Sequence, residues 1–108
     1  MPRLEYAERF ANDLALIRSP KVEARILENL DNIERFGEFG TLLVPPSIKR
    51  EFGDNVRKVA VNPFDLVYTL YSEQDLARIE ALIHQARSEI APNSNASLKR
   101  AFAISGGA

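Results

Sequence analysis

The stretch 56-VRKVAVNPFDLVYTLYSEQDLARIEALIHQA-86 decides the fold. It holds three apolar runs separated by two short polar breaks. VRKVAV runs into NPFD, LVYTLY runs into SEQD, and ARIEALIH follows. Val59 and Val61 alternate with Lys58 and Ala60, as on a strand, and Asn62-Pro63 is a strong turn signal. Leu66 to Tyr71 is apolar or aromatic at nearly every position, the composition of a central strand buried on both faces. Ser72 to Asp75 reads as a polar turn. The third run, Ala77 to Ala86, fits two periods. Ile79, Ala81 and Ile83 alternate with Arg78, Glu80 and His84, which suits a strand. Leu76, Ile79, Leu82, Ile83 and Ala86 also form a helical stripe, and the Ala, Leu, Glu, Gln and Arg content favours helix. Periodicity does not separate the two; the hairpin-like spacing from the preceding run tips the choice toward strand. The block therefore predicts an antiparallel meander on which the N-terminal half packs.

Upstream, Arg3 to Tyr6 is a short candidate edge strand with Leu4 inward. From Ala7 the period becomes helical. Ala7, Phe10, Ala11, Leu14 and Ile17 share one face, with Glu8, Arg9, Asn12 and Asp13 on the other. Ser19-Pro20 then supplies an N-cap and a first-turn proline, and Glu23 suits the positive end of the helix dipole. Val22, Ile26, Leu27, Leu30 and Ile33 continue as one stripe, the signature of a core face. Gly37 is placed as a left-handed stop. So short a link predicts an antiparallel helical hairpin. Phe39 to Asn55 is a long, irregular connection punctuated by Gly40, Pro45, Pro46 and Gly53. Within it Thr41 to Val44 suggests a short strand or buried loop, and Ser47 to Phe52 a single helical turn. Such long connections are often functional. Residues 91–96 have linker composition, so residues 1–90 are expected to form the domain and residues 91–108 a mobile tail.

The 108 residues suit one α+β domain. No apolar run approaches a membrane span, and the N-terminus lacks the apolar block of a signal peptide, so a cytoplasmic protein is expected. Cysteine is absent and histidine occurs once, which leaves no thiolate site and no multi-histidine metal site within the chain. No cofactor is expected. The net charge of −1 and pI near 5.8 are unlike a protein that lives on phosphate backbone. A nucleic-acid contact would need a local patch. The richest is Lys49, Arg50, Arg57 and Lys58, diluted by Glu51 and Asp54, and the plainer reading is a solvated mixed-charge segment.

The arginine opening the first run, Pro63-Phe64, Leu66-Val67-Tyr68, and His84 with Arg87 occur in an order that resembles the RelE/ParE superfamily of toxins from type II toxin–antitoxin modules. LEYAERFANDLALI resembles that family's opening strand and first helix, so the resemblance spans roughly Arg3 to Arg87. It implies an N-terminal strand and a helical hairpin packed on a three- to four-stranded antiparallel sheet, with the run Ala77 to His84 a strand. It also implies a growth-inhibiting toxin neutralised by an antitoxin that wraps it, with a toxin–antitoxin hetero-oligomer as one assembly it allows.

Two chemistries occur in the family. The RelE-like branch cleaves mRNA at the ribosome without a metal, by attack of a 2′-hydroxyl on the adjacent phosphorus. That reaction needs a base, cations for the phosphorane charge, and an acid for the leaving oxygen. The resemblance assigns those tasks to His84, Arg57, Tyr68 and Lys49. The ParE-like branch inhibits DNA gyrase. Asp65 stands where ribosome-dependent nucleases commonly carry arginine, and a carboxylate there repels phosphate unless it serves as a base or pairs with a cation such as Arg57. With the acidic pI, this places the gyrase-directed mode slightly ahead of the nuclease. A non-toxic interaction module of the same fold is a third reading. Arg50, Lys58 and Arg87 are candidates for target or antitoxin binding, with solvated surface as the alternative. Arg57 is as readily a structural partner of Asp65, Tyr68 as readily a core residue, and His84 as readily structural.

Overall fold

A computed structural model describes residues 1–88. The order is β1 (Arg3–Tyr6), α1 (Glu8–Ala15), α2 (Pro20–Arg35), a 3₁₀ turn (Gly37–Phe39), α3 (Pro46–Phe52), β2 (Val56–Val61), β3 (Phe64–Tyr71), a 3₁₀ turn (Ser72–Gln74), β4 (Leu76–His84) and α4 (Gln85–Ser88). The expected α+β architecture is present, and the ambiguous third run is a strand. The expected tail, residues 91–108, lies outside the described residues.

The sheet order is β1-β4-β3-β2. Strands β2, β3 and β4 form the antiparallel meander, but β1 pairs parallel with β4, Leu4 opposite Ala77. The sheet is therefore mixed where an antiparallel one was expected. Strand direction forces a second feature. Both β1 and β2 run in the direction of β4, so the chain leaving α2 must travel back along the sheet before β2 can start. It does so beside the edge of β2, where Thr41 bridges Lys58 in antiparallel sense. The long connection is this return pass. The segment Thr41 to Val44 is neither strand nor buried loop: apart from the one bridge it is irregular, with Leu42 44% and Leu43 84% exposed, and α3 follows it within the same connection.

Each face of the sheet has its own cover. On one face Phe10 of α1 and Ile26, Leu30 and Ile33 of α2 pack on Val61, Leu66, Tyr68, Ala77, Ile79 and Leu82. On the other, Ile48 and Phe52 of α3 pack on Val56, Val67, Ala81 and Ile83. Burial of Leu66, Val67, Tyr68 and Thr69 in succession follows from this double cover. A bulge between Val67 and Tyr68 resets the register against β4.

Ser19 caps α2 as its sequence predicts, its Oγ accepting from Val22 N at 3.2 Å. Gly37 is not a left-handed stop; α2 ends on Phe36 with a negative φ. Glycine is used there for space, since a Cβ would stand 3.0 Å from Leu70 Cδ1 and 3.2 Å from Pro2 Cγ. The left-handed glycine is Gly53, at φ 100°, which closes α3.

Candidate functional site

The residues proposed for chemistry fall into three places. Arg57 and Tyr68 are register partners on β2 and β3 and point to the face covered by α1 and α2. Tyr68 is fully buried. Its hydroxyl donates to Gly37 O at 2.7 Å and accepts from Gly40 N at 2.7 Å. Burial raises the phenol's pKa above the ordinary value, opposed by the Gly40 hydrogen bond and the Arg57 charge. Arg57 donates to Gly40 O at 2.8 Å and reaches Glu38 O at 3.5 Å. Both side chains thus hold the return pass against the sheet.

Asp65 does not pair with Arg57. Strand alternation puts the two on opposite faces of the sheet. Asp65 shares its face with Lys58, whose Nζ lies 3.5 Å from Oδ2, and Gln85 Nε2 donates to Oδ1 at 3.3 Å. At 1% exposure the carboxylate is out of reach of a ligand. Inside the sheet the carboxylate is compensated by the neighbouring lysine.

His84 ends β4, opposite Phe64 across the sheet, and packs edge-on against that ring at 5.5 Å between centroids. Ala86 N donates to His84 Nδ1 at 3.2 Å, which makes Nδ1 the acceptor and leaves the hydrogen on Nε2. His84 borders a cleft of about 230 Å³ shared with Arg9, Asp13, Leu16, Ile17, Phe64, Leu82 and Ile83. Tyr68 lies four residues along β3 from Phe64, roughly 13 Å away at the rise of a strand. Lys49 and Arg50 are exposed on α3, over the other face. The fold therefore does not gather His84, Arg57, Tyr68 and Lys49 into one site. Nothing is described of the Arg87 side chain.

Sequence reasoning put Arg9 and Asp13 on the solvent side of α1. In the structure they line the cleft. β1 covers β4 only as far as Ile79. Beyond it the bare edge is met by α1, and Asp13 Oδ2 accepts the Leu82 N–H at 3.0 Å. Arg9 stacks 5.4 Å from the Phe52 ring centroid and pairs with Glu51, tying α1 to α3. The i, i+4 spacing of Arg9 and Asp13 was the available signal. Among the described residues no cluster of three or more His, Cys, Asp or Glu could hold a metal ion, and no helix is long and apolar enough to cross a membrane.

No protein-family model matches the chain, and no curated protein matches it in sequence. Solved structures do. The isolated RelE toxin of E. coli superposes with a TM-score of 0.61 at 15% identity, over 94% of this chain and 99% of that one. RelE in the E. coli RelBE toxin–antitoxin complex gives 0.59 at 15% identity, over 78% and 96%. The archaeal RelE–RelB complex from Pyrococcus horikoshii gives 0.57 at 14%, over 80% and 97%. The E. coli DinJ–YafQ complex gives 0.54 at 19%, over 81% and 97%. The chain has the RelE-like fold, as the sequence resemblance implied.

Proposed function

We propose that this chain is the toxin of a type II toxin–antitoxin pair, restrained by a protein antitoxin. The carrying observation is a RelE-like fold shared over 94% of this chain with a toxin solved alone and over 78% of it with the RelBE toxin–antitoxin complex. The order of sequence features from Arg57 to Arg87 supports the same reading independently.

Within that class the neighbours favour a RelE-like, mRNA-directed mode over the gyrase-directed mode that Asp65 had put forward. Asp65 loses its weight as a counter-argument, because Lys58 compensates it inside the sheet. In this mode His84, at the cleft it shares with Arg9, is the acid–base group, through Nε2, while Lys49 and Arg50 stand apart from it over the other face of the sheet. A second reading, growth inhibition without cleavage, is favoured by one specific observation: the Tyr68 hydroxyl donates its proton to Gly37 O and accepts from Gly40 N, and Arg57 is committed to Gly40 O. The phenol that would serve a leaving group is thereby taken out of use.

Induction of the chain alone in a bacterium, with transcript 5′ ends mapped, tests both. Growth arrest with defined cuts inside translated codons is expected. Filamentation with DNA damage and intact transcripts refutes cleavage and returns the gyrase-directed mode. Unimpaired growth refutes the toxin reading and leaves the non-toxic module.

A further inference from the structure

The tautomer of His84 divides the work of the cleft beside it. Nδ1 accepts from Ala86 N, so Nε2 carries the hydrogen and acts as a donor. A donor can protonate a leaving oxygen, but it cannot take a proton from a 2′-hydroxyl. Cleavage also needs that acceptor, together with a cation for the phosphorane charge. Tyr68 and Arg57 supply neither, because both are committed to the return pass.

Both missing groups line the cleft from α1. The Asp13 side chain is 27% exposed. Its Oδ2 accepts the Leu82 N–H and lies 4.0 Å from Arg9 Nε, while Oδ1 accepts no hydrogen bond among the described residues. Leu82 and His84 are two residues apart on β4, hence on one side of the strand and roughly 7 Å along it. A carboxylate and an imidazole so separated can address the attacking and leaving oxygens, which lie on opposite sides of the phosphorus. Arg9 is oriented before any ligand arrives. Its Nη1 pairs with Glu51 and its guanidinium lies over the Phe52 ring. Its Nη2 makes no hydrogen bond among the described residues, and its side chain is 39% exposed. Leu16, Ile17, Phe64 and Leu82 form apolar walls, beside which charges are less screened. The negative charge of Asp13 opposes a bound phosphate. It is lost as the carboxylate takes a proton, so the repulsion is relieved in the transition state, where relief accelerates the reaction.

We propose that Asp13 is the general base, and Arg9 the phosphate-binding cation, of the cleft at which His84 is the acid. This rests on the mRNA-cleaving reading above and names the groups that carry it out. Asp13 Oδ1 takes the proton of a 2′-hydroxyl, O2′ bonds to phosphorus and the P–O5′ bond breaks. His84 reacts as the imidazolium, with a second proton taken from solvent on Nδ1 in place of the Ala86 contact, and gives its Nε2 proton to O5′. Arg9 Nη2 donates to a non-bridging oxygen throughout. The products are a 2′,3′-cyclic phosphate and a 5′-hydroxyl.

The test adds the full chain to ribosomes carrying a short synthetic message and follows the rate of cutting. Asp13→Asn keeps an acceptor for the Leu82 N–H, so its thermal melt is expected to match wild type while cutting slows at least about 100-fold. Arg9→Met is expected to slow cutting about 100-fold as well, with a melt showing that it folds. A message with sulfur in place of the bridging O5′ separates the roles, because a thiolate leaves without an acid. On that message His84→Ala is expected to recover to near the wild-type rate, whereas Asp13→Asn stays slow. Wild-type cutting of the ordinary message by Asp13→Asn or by Arg9→Met overturns the role given to that residue and leaves the toxin reading intact. Recovery of Asp13→Asn on the sulfur message overturns Asp13 as the base. Absence of cutting by the wild-type chain overturns both the proposal and the mRNA-cleaving reading.

Discussion

Gly40 N donates to the hydroxyl of Tyr68, twenty-eight positions later, at 2.7 Å, and this hydrogen bond joins the return pass to the centre of the sheet. The same hydroxyl donates to Gly37 O. Tyr68→Phe leaves a buried amide and a carbonyl without their partner. A loss of about 2 kcal/mol is expected, within the usual cost of leaving a buried polar group unsatisfied. Urea denaturation measures it, and an unchanged midpoint would contradict the assignment.

The pH dependence of the same residue has a definite sign. The folded-state pKa of Tyr68 is raised above its unfolded value, chiefly by burial. Its contribution to stability is then complete below the ordinary tyrosine pKa of about 10 and is lost as pH rises through the folded value. Tyr6 is raised as well, by burial and by Glu34 and Asp31. Stability measured across the alkaline range should therefore decline in wild type and decline less in Tyr68→Phe. Equal slopes in the two proteins would refute the effect.

Three glycines rank by what surrounds them. At Gly40 a new Cβ meets backbone and a buried ring below 3.0 Å, so Gly40→Ala is expected to cost about 3 kcal/mol, the upper end for overpacking. At Gly37 the nearest atoms are Leu70 and Pro2 side chains, which yield more readily, and about 1 kcal/mol is expected. Gly53 has open space but a φ of 100°, so Gly53→Ala costs about 1 kcal/mol through backbone strain alone. Thermal melts of the three variants check the order.

Asp65→Arg introduces the residue type that the sequence resemblance implies for the nuclease branch, but it is expected to fail. The position is 1% exposed and faces the Lys58 ammonium at 3.5 Å. Two cations would then share a buried site, with a cost of about 3–5 kcal/mol. The double variant Lys58→Met, Asp65→Leu should recover most of that. Folding of Asp65→Arg at wild-type stability would show that the pair is dispensable.

Asp13 closes the free edge of β4. Asp13→Ala strands the Leu82 N–H and is expected to cost about 1–2 kcal/mol, while Asp13→Asn keeps an acceptor and costs little. Faster amide exchange at Leu82 in Asp13→Ala alone is the corresponding local signature.

The residues that were legible before folding are those whose neighbours in sequence are their neighbours in space. Ser19 and Pro20 start α2 by local hydrogen bonding and a preset φ, and Leu66 to Tyr71 reads as a central strand because both its faces are apolar. Side-chain partnerships were not legible. Whether Asp65 meets Arg57 or Lys58 depends on which strand face each occupies, and a shift of one residue exchanges the faces. The parallel pairing of β1 depends on the direction of a strand seventy residues away, which no local pattern records. The fate of Tyr68 and Arg57 depended on the return pass lying over them. Sequence by itself determined the meander, the caps and the apolar stripes, because these follow from period and backbone preference. Only the tertiary structure decided that two candidate catalytic groups serve as clamps, that His84 stands apart from them, and that Phe36 to Leu43 is held rigid with its apolar side chains in water. Those outcomes are long-range contacts, and the energy that selects them does not exist until the chain has folded.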